Sequence, residues 1–455
     1  MEEWGIIVYF LVIGMLIFVA KVLKTWVPGL NKVVIPSSLL GGIIGLIISL
    51  VFAPILIGKE TFFDVDAMGH IVYHALAIGF IALALKTNKT ESKKKIWSTG
   101  MLITTTYALQ AVIGIILVLT LFSDKFVGSG MLVALGFGQG PGLAYAIGKS
   151  WTNQLGGFGE ALGVSYALLG FLTGGVVGVF LINLISRKRG REKPKTYEET
   201  SATTEVIEVE KVKEISILDG LTTQAVIIAI IYGLVYLTLL LADLGLSKLG
   251  TTGEQAFGLI KGFNFIIGIV YALIYKQILK AFERKGKNIR FMTNNYILSN
   301  IGSLAFNVMI TGSVLMITLD FLSSFGVQLI VTSAFAGFFT LIYLRYMTRK
   351  VYVEHQDEYY VALFGMLTGV ASTGVALLKG VDPNLETPVA EELVLGSGTA
   401  ITMALPLFLI MFIPTFTYDS GNHTLWSIIA LLGCIVYIAI FVSILLVRGK
   451  RGVNV

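Results

Sequence analysis

Eleven long apolar runs follow one another along the chain, separated by polar connections. A helix needs about 20 predominantly apolar residues to cross the hydrocarbon core of a bilayer. The runs extend roughly over residues 5 to 21, 34 to 57, 70 to 85, 97 to 122, 158 to 185, 221 to 243, 255 to 279, 295 to 319, 326 to 346, 392 to 413 and 424 to 447. Each reaches or approaches that length, so the pattern predicts an all-α polytopic membrane protein.

Two further apolar segments, residues 130–148 and 359–380, are rich in glycine and lie between the fourth and fifth run of each half. Counting either one as a full span would disturb the alternation of basic and non-basic connections described next. We therefore predict that both are re-entrant, so that each enters and leaves the membrane on one side. The first would enter from outside and the second from the cytoplasm.

Lysine and arginine are concentrated in alternate connections, and cytoplasmic connections carry an excess of these residues. The clusters that we predict to be cytoplasmic are Lys21, Lys24 and Lys32; Lys86, Lys89 and Lys93 to Lys95; Arg187 to Arg189 and Arg191; Lys276, Lys280, Arg284, Lys285, Lys287 and Arg290; Arg345, Arg349 and Lys350; and Arg448, Lys450 and Arg451. This distribution predicts a multi-pass protein of the plasma membrane with its N-terminus outside and its C-terminus in the cytoplasm.

Residues 186–219 are charged, contain a proline and lack an apolar face, which predicts a cytoplasmic linker. Because five spans precede this linker, the second half starts from the opposite side of the membrane and is inverted relative to the first. The predicted organisation is one repeat over residues 1–185, an inverted repeat over 220–413, and an additional transmembrane helix with a basic tail over 414–455.

The composition narrows the class of protein. Hydrophobic residues make up 55% of the chain and charged residues only 14%, and the mean hydropathy is +0.82, values that exclude a soluble enzyme. The net charge of +6 lies in short clusters rather than in one basic surface, so nucleic acid is not a predicted partner. Cys434 is the only cysteine, which excludes an intramolecular disulfide.

The first glycine-rich segment has glycine at alternate positions, with a proline among them. Gly136, Gly138, Gly140, Pro141 and Gly142 destabilise a regular helix, by about 1 kcal/mol for each glycine and about 3 for proline. Backbone freed at this depth could bind ligand, its N–H groups a carboxylate and its carbonyl groups a sodium ion. The alternative is close helix packing through small residues.

The second segment contains Gly365, Thr368, Gly369, Ser372 and Thr373. We predict that Gly369, Ser372 and Thr373 bind substrate, and that the hydroxyl oxygens of Thr368 and Thr373 bind sodium, because hard cations prefer oxygen ligands. Glycines spaced by about four residues are equally typical of a helix-packing face, so that alternative stays open.

One predicted helix has a polar face, formed by Asn300, Ser303, Asn307 and Thr311. Such a face normally points into protein or an aqueous cavity, and we predict Asn300 and Ser303 as sodium ligands and Asn307 as a substrate contact. Interhelical hydrogen bonding is the alternative. No Asp, Glu or Arg lies near the middle of a predicted span, which favours sodium over proton coupling.

Several of these features resemble the bacterial sodium/glutamate symporter family. The stretch IPSSLLGGIIG, from Ile35 to Gly45, resembles the Ile-Pro-x-x-x-x-Gly-Gly pattern in that family's second helix. The stretch GQGPGLAY resembles the family's first glycine motif. In the second motif Leu367 replaces the central glycine, and Gln139 occupies a histidine position of the family. These departures bear on the substrate and leave the predicted fold unchanged.

The resemblance implies two inverted five-helix domains whose re-entrant segments share a central site. It also implies sodium-driven uptake of glutamate by alternating access, with Gly138, Gln139, Gly140 and Gly142 among the substrate contacts. Sodium would be the coupling ion, and no other cofactor is expected. The expected partners are a small anionic amino acid, sodium and the lipid bilayer, while a homodimer stays open.

Other functions compete with this one. A transporter of the same kind could carry another small carboxylate or a neutral amino acid, coupled to sodium or to protons. An intramembrane enzyme would need a nucleophile with a base, or metal ligands, at depth; His70 and His74 are one helical turn apart but lack a nearby third ligand, so we expect no enzyme. A non-transporting scaffold is the third class.

Overall fold

The computed structural model describes residues 4–27, 36–86, 96–188, 214–250, 253, 257, 260–261, 264–286, 292–383, 385–418 and 421–450. Most of the predicted linker, residues 189–213, lies outside these ranges. So do several residues of the predicted basic clusters: Lys32, Lys89, Lys93 to Lys95, Arg189, Arg191, Lys287, Arg290 and Arg451.

The described residues include fifteen α-helices and a short 3₁₀ turn at Ser247–Leu249, and they form no strands. The helices are α1 Gly5–Trp26, α2 Ser37–Ile57, α3 Val65–Leu85, α4 Ile96–Leu121, α5 Gly128–Gln139, α6 Pro141–Ser150, α7 Gly159–Lys188, α8 Glu214–Leu246, α9 Asn264–Arg284, α10 Asn295–Leu315, α11 Leu319–Val351, α12 Gln356–Leu367, α13 Ala371–Leu378, α14 Val389–Phe416 and α15 His423–Lys450.

Eleven of these helices are long and apolar enough to cross a membrane, which confirms the predicted all-α polytopic class. The helices often extend beyond the apolar runs. Helix α11 occupies Leu319–Val351 where the run covers 326–346, and α7 and α8 reach into both ends of the predicted linker. The reason is that a run marks the apolar stretch, whereas a helix continues through polar residues that are also good helix formers.

The chain folds into two compact units that cut across the predicted halves. The first unit comprises Met1–Val19, Gly41–Lys89 and Thr203–Met316, and the second comprises Ala20–Leu40, Thr90–Ala202 and Ile317–Val455. Each unit therefore takes helices from both halves of the sequence. The inverted repeat is a relation between sequence halves, and it stays a prediction.

The first unit is organised around α3, which packs against α8, α9 and α10. Ile81, Ala82 and Leu85 of α3 form its buried core with apolar residues of these neighbours. Near the middle of α3, His74 Nδ1 and the Tyr232 hydroxyl of α8 form a 2.6 Å hydrogen bond. This histidine is thus held by a neighbouring helix of the same unit.

In the second unit, glycines allow two helix pairs to make direct backbone contact. A β-carbon added at Gly114 of α4 would lie 2.0 Å from the carbonyl oxygen of Gly130 in α5. The same relation holds between α6 and α7, where a β-carbon at Gly148 would lie 2.1 Å from the carbonyl oxygen of Gly159. These contacts hold the two short helices α5 and α6 tightly against the long helices beside them.

Candidate functional site

The first glycine-rich segment consists of two short helices with a break at Gly140, as its sequence predicts. Gly140 has φ 82° and ψ 178°, a conformation essentially restricted to glycine. Pro141 then starts α6, where its missing N–H and restricted φ are tolerated. Glycine ends one helix and proline begins the next, so the chain leaves helical geometry at a single residue.

The second segment is also broken, between Leu367 and Ala371. Helix α12 ends at Leu367 and α13 begins at Ala371. The two helices fold back on each other, since a β-carbon at Gly374 would lie 2.5 Å from the carbonyl oxygen of Ala362. The second segment is therefore a helical hairpin whose tip is formed by residues 368–370.

The two breaks meet inside the second unit. A β-carbon at Gly140 would lie 2.7 Å from Val370 Cγ1 and 3.8 Å from the carbonyl oxygen of Gly369. Residues more than 200 positions apart in the sequence thus come together where both segments leave helical geometry. This meeting point is the candidate site.

Helix ends of opposite polarity converge there. Helices α6 and α13 both begin at the site, and no side chain in the described ranges caps the N–H groups of either first turn. Such N-termini carry a partial positive charge and attract carboxylates. Helices α5 and α12 end at the site, and their last carbonyl groups carry the opposite partial charge. The arrangement can hold an anion and a cation side by side.

A glycine stripe on α7 receives the second hairpin. Gly170, Gly174 and Gly178 are spaced about one helical turn apart. A β-carbon at Gly170 would lie 2.6 Å from the Thr368 carbonyl oxygen, and one at Gly174 would lie 2.8 Å from Thr368 Oγ1. A β-carbon at Gly178 would lie 2.3 Å from Leu377 Cδ1. Close packing of helices through small residues at this spacing is well known in membranes. This stripe is not among the predicted site residues, although its four-residue spacing is visible in the sequence.

Gln110 of α4 is a second feature with a larger role in the structure than its sequence context indicated. Its Nε2 donates hydrogen bonds to the Leu367 carbonyl oxygen at 2.9 Å and to Thr340 Oγ1 at 3.0 Å. The side chain is fully buried, and its Oε1 has no hydrogen-bond partner among the residues that the structure describes. Gln110 thus ties the end of α12 to α4 and α11 while leaving a free acceptor.

Most of the predicted site residues lie at the meeting point, in the second unit. They are Gly138, Gln139, Gly140, Gly142, Thr368, Gly369 and Thr373. Thr368 is buried and its hydroxyl donates to the Phe364 carbonyl oxygen at 2.7 Å, which leaves the oxygen lone pairs free for another contact. Ser372 is exposed, whereas Thr373 is buried with its Oγ1 3.0 Å from the position of a β-carbon on Gly369.

The polar face predicted on α10 does not belong to this unit. Asn300, Ser303 and Asn307 lie on α10 in the first unit, and Asn300 is exposed. The predicted residues are therefore not all assembled within one unit. The spacing on one helix was correct, but residue spacing carries no information on which unit that helix joins.

The two lysines near the ends of these segments have different surroundings. Lys149 Nζ lies 3.7 Å from the Glu160 carboxylate and faces the Tyr145 ring. Burial lowers the pKa of Lys379, which follows α13. A lysine paired with a carboxylate and a partly buried lysine are both typical of helix ends at a membrane interface.

A carboxylate anchors the base of the second hairpin. The Tyr359 hydroxyl of α12 donates a short hydrogen bond to the buried Glu392 of α14, and the Tyr359 ring stacks on Tyr352 with 3.6 Å between ring centroids. Tyr352 in turn shares a 2.8 Å hydrogen bond with Thr99 of α4. These contacts connect the hairpin to both flanking helices at the end far from its tip.

Within the described ranges, no cluster of three or more His, Cys, Asp or Glu side chains could hold a metal ion. The oxygen atoms described above at the meeting point, the carbonyl oxygens of Leu367 and Gly369 and the hydroxyl oxygen of Thr368, are neutral. Comparison with the models of known protein families, with curated proteins and with solved structures finds no match. The family resemblance therefore rests on the residues described under Sequence analysis.

Proposed function

We propose that this chain is a secondary active transporter that takes up glutamate together with sodium by alternating access. The observation that carries the proposal is the contact between the two helix breaks at Gly140 and Val370. Broken helices that meet inside a membrane protein are typical of transporter binding sites, because freed backbone groups must be satisfied by protein, water or ligand.

The charge pattern of the site supports an anionic substrate. The uncapped N-termini of α6 and α13 offer N–H groups and partial positive charge to a carboxylate. Glycine at 140 and 142 keeps side chains away, so that the substrate can approach the backbone closely. Glutamate is the first substrate to test because the motifs resemble those of sodium/glutamate symporters.

Sodium coupling is supported by the neutral lining. Thr368 and Thr373 supply hydroxyl oxygens close to the carbonyl ends of α5 and α12, and these are ligands that suit a hard monovalent cation. Entry of sodium down its gradient would then drive uptake. In this proposal the two glycine-rich segments are re-entrant from opposite sides of the membrane. Movement of one part of the protein relative to the membrane exposes the site to the outside and to the cytoplasm in turn.

A related substrate is the second candidate. Leu367 stands where the family has the central glycine of the second motif, and its carbonyl oxygen is held by Gln110. A backbone altered at this position favours a substrate of the same class but different shape, such as another small carboxylate or amino acid.

The test is uptake into proteoliposomes that contain the purified full chain. We expect labelled glutamate to accumulate under an inward sodium gradient, and to stop accumulating when choline replaces sodium outside. Accumulation of another carboxylate but not of glutamate would replace the substrate assignment. Failure of every small carboxylate and amino acid to accumulate, by a protein that is folded in the membrane, would refute the transporter proposal.

A further inference from the structure

The amide oxygen of Gln110, beside the candidate site, is a buried hydrogen-bond acceptor that has no partner in the described part of the chain. It lies 3.3 Å from the position of a β-carbon on Gly138, in the last turn of α5. A buried polar atom without a partner costs about 1–3 kcal/mol, so such atoms in native proteins usually have a function. The question is what this oxygen binds.

The orientation of the amide is determined by its other end. Nε2 donates to Leu367 and to Thr340, and these two hydrogen bonds use both of its hydrogens. Because Nε2 points toward Leu367 and Thr340, Oε1 points away from both residues and toward α5. A rotated amide would lose the bond to the Leu367 carbonyl oxygen, because two oxygen acceptors would then face each other.

The surroundings of Oε1 favour a positively charged ligand group. The C-terminal ends of α5 and α12 lie on either side of Gln110, and both carry partial negative charge. A cationic hydrogen-bond donor could donate to Oε1 and would also be attracted by the partial negative charge of the two helix ends.

We infer that Gln110 Oε1 accepts a hydrogen bond from the ammonium group of an amino-acid substrate. This inference rests on the proposed transport function, and it assigns a residue that selects amino acids against plain carboxylates. The ammonium and carboxylate groups of an amino acid are bonded to the same carbon. They match the adjacent helix ends at the site, where the carbonyl ends of α5 and α12 suit the ammonium group and the N–H ends of α6 and α13 suit the carboxylate. A sodium ion fits this position less well, because it needs several oxygen ligands at once and the Leu367 and Thr340 oxygens already accept from Nε2.

The test compares glutamate with glutarate, which has the same two carboxylates but no ammonium group. Ligand-induced thermal stabilisation of the purified full chain gives the apparent affinity of each compound without requiring transport. We expect wild type to prefer glutamate by at least about tenfold, since a site built for a polar group rejects a ligand that lacks it. Gln110→Leu should reduce this preference to near one.

Thr340→Val is the matched control. It removes one anchor of the same amide and leaves Oε1 in place, so it should weaken both ligands without changing their ratio. If Gln110→Leu does not fold, Gln110→Met, which has an unbranched side chain of similar length, removes the same amide oxygen and should also bring the preference for glutamate close to one.

Three results would overturn the inference: equal binding of glutamate and glutarate by wild type, an unchanged ratio in Gln110→Leu, or a change only in the sodium concentration needed for half-maximal stabilisation. Selective binding of glutamate without any uptake would refute the transport proposal while leaving the role of Gln110 intact.

Discussion

Gly140 and Val370 contact each other, although one ends a helix in the first half of the chain and the other precedes a helix in the second half. The added β-carbon at Gly140 would lie 2.7 Å from Val370 Cγ1, closer than non-bonded carbons approach. Gly140 also has a positive φ of 82°. Conformation and contact therefore both require glycine at this position.

Replacement of Gly140 by alanine should reduce sodium-driven uptake at least about tenfold while the protein still inserts. The backbone strain alone costs about 1–3 kcal/mol, and the methyl group would push Val370 away from the site. Uptake in proteoliposomes, with the amount of folded protein measured by size-exclusion chromatography, checks this.

Gly398→Ala is the control, because Gly398 lies in α14 with no atom near the position of its β-carbon. The double variant Gly140→Ala/Val370→Ala removes the contact and leaves the strain, so recovery in it would measure the steric part. Transport by Gly140→Ala at the wild-type rate would contradict the prediction.

Gly114→Ala and Gly148→Ala should each destabilise the folded protein by about 1–3 kcal/mol. Their β-carbons would meet backbone carbonyl oxygens at 2.0 and 2.1 Å, and backbone of a packed helix cannot move aside as a flexible side chain can. Thermal unfolding in detergent measures the effect. Gly233→Ala on α8, where nothing lies within 4 Å, should unfold at or above the wild-type temperature. Equal melting temperatures for all three variants would argue against direct backbone contact in these helix pairs.

Cysteine labelling can test whether the two segments are re-entrant from opposite sides. Cysteines at Asp124 and Asn153, both exposed and flanking α5 and α6, should react with an impermeant reagent added outside. Cysteines at Glu354 and Glu386, which flank the second hairpin and are exposed, should react only from the cytoplasmic side. The native Cys434 is buried, so a Cys434→Ser background removes it without loss of an exposed group. Reaction of Asp124→Cys and Asn153→Cys from different sides would show a full crossing instead.

Gly130 and Gly380, the first residue of one predicted segment and the last residue of the other, are unsuitable as labelling positions. A side chain at Gly130 would meet the Gly114 carbonyl oxygen at 2.3 Å, and one at Gly380 would meet Ile182 at 2.6 Å. Cysteine there would disturb the packing that the experiment is meant to report.

The turn before α14 should lose stability in acid. Partial burial raises the pKa of Asp382, but hydrogen bonds from Thr387 and Glu386 and the nearby His355 outweigh this, so the pKa lies below its ordinary 3.8. A carboxylate with a depressed pKa stabilises the fold above its unfolded-state pKa, and this contribution is lost as pH falls through the folded-state pKa.

Asp382→Ala should therefore lower the unfolding free energy by about 2 kcal/mol at neutral pH, since hydrogen bonds to charged groups contribute most. The difference from wild type should narrow below about pH 4. Melting curves between acid and neutral pH measure this difference, and Glu354→Ala, at an exposed carboxylate, serves as the control. A difference that grows toward low pH would have the wrong sign.

Much of the architecture follows from local pattern. The eleven membrane-length helices were predictable because burying a helix in lipid requires a continuous apolar stretch of known length. The break at Gly140 was predictable for a similar reason, since alternating glycines and Pro141 oppose helix formation wherever they occur. Both properties depend on residues that are neighbours in the chain.

The composition of the site depended on contacts between distant residues. In the sequence, Gln110 is a polar residue within an apolar run, and only its hydrogen bonds to Leu367 and Thr340 give its amide a defined orientation. The glycines of α7 are needed because the second hairpin packs directly on them, which only the structure shows. Asn307 was predicted as a substrate contact, and its helix α10 belongs to the other unit. Hydropathy and spacing show which helices lie in lipid and which of their faces are polar. Which helices pack together depends on the fit between side chains that lie more than 200 positions apart in the sequence. That fit, which only the folded chain reveals, brings Gly140 to Val370.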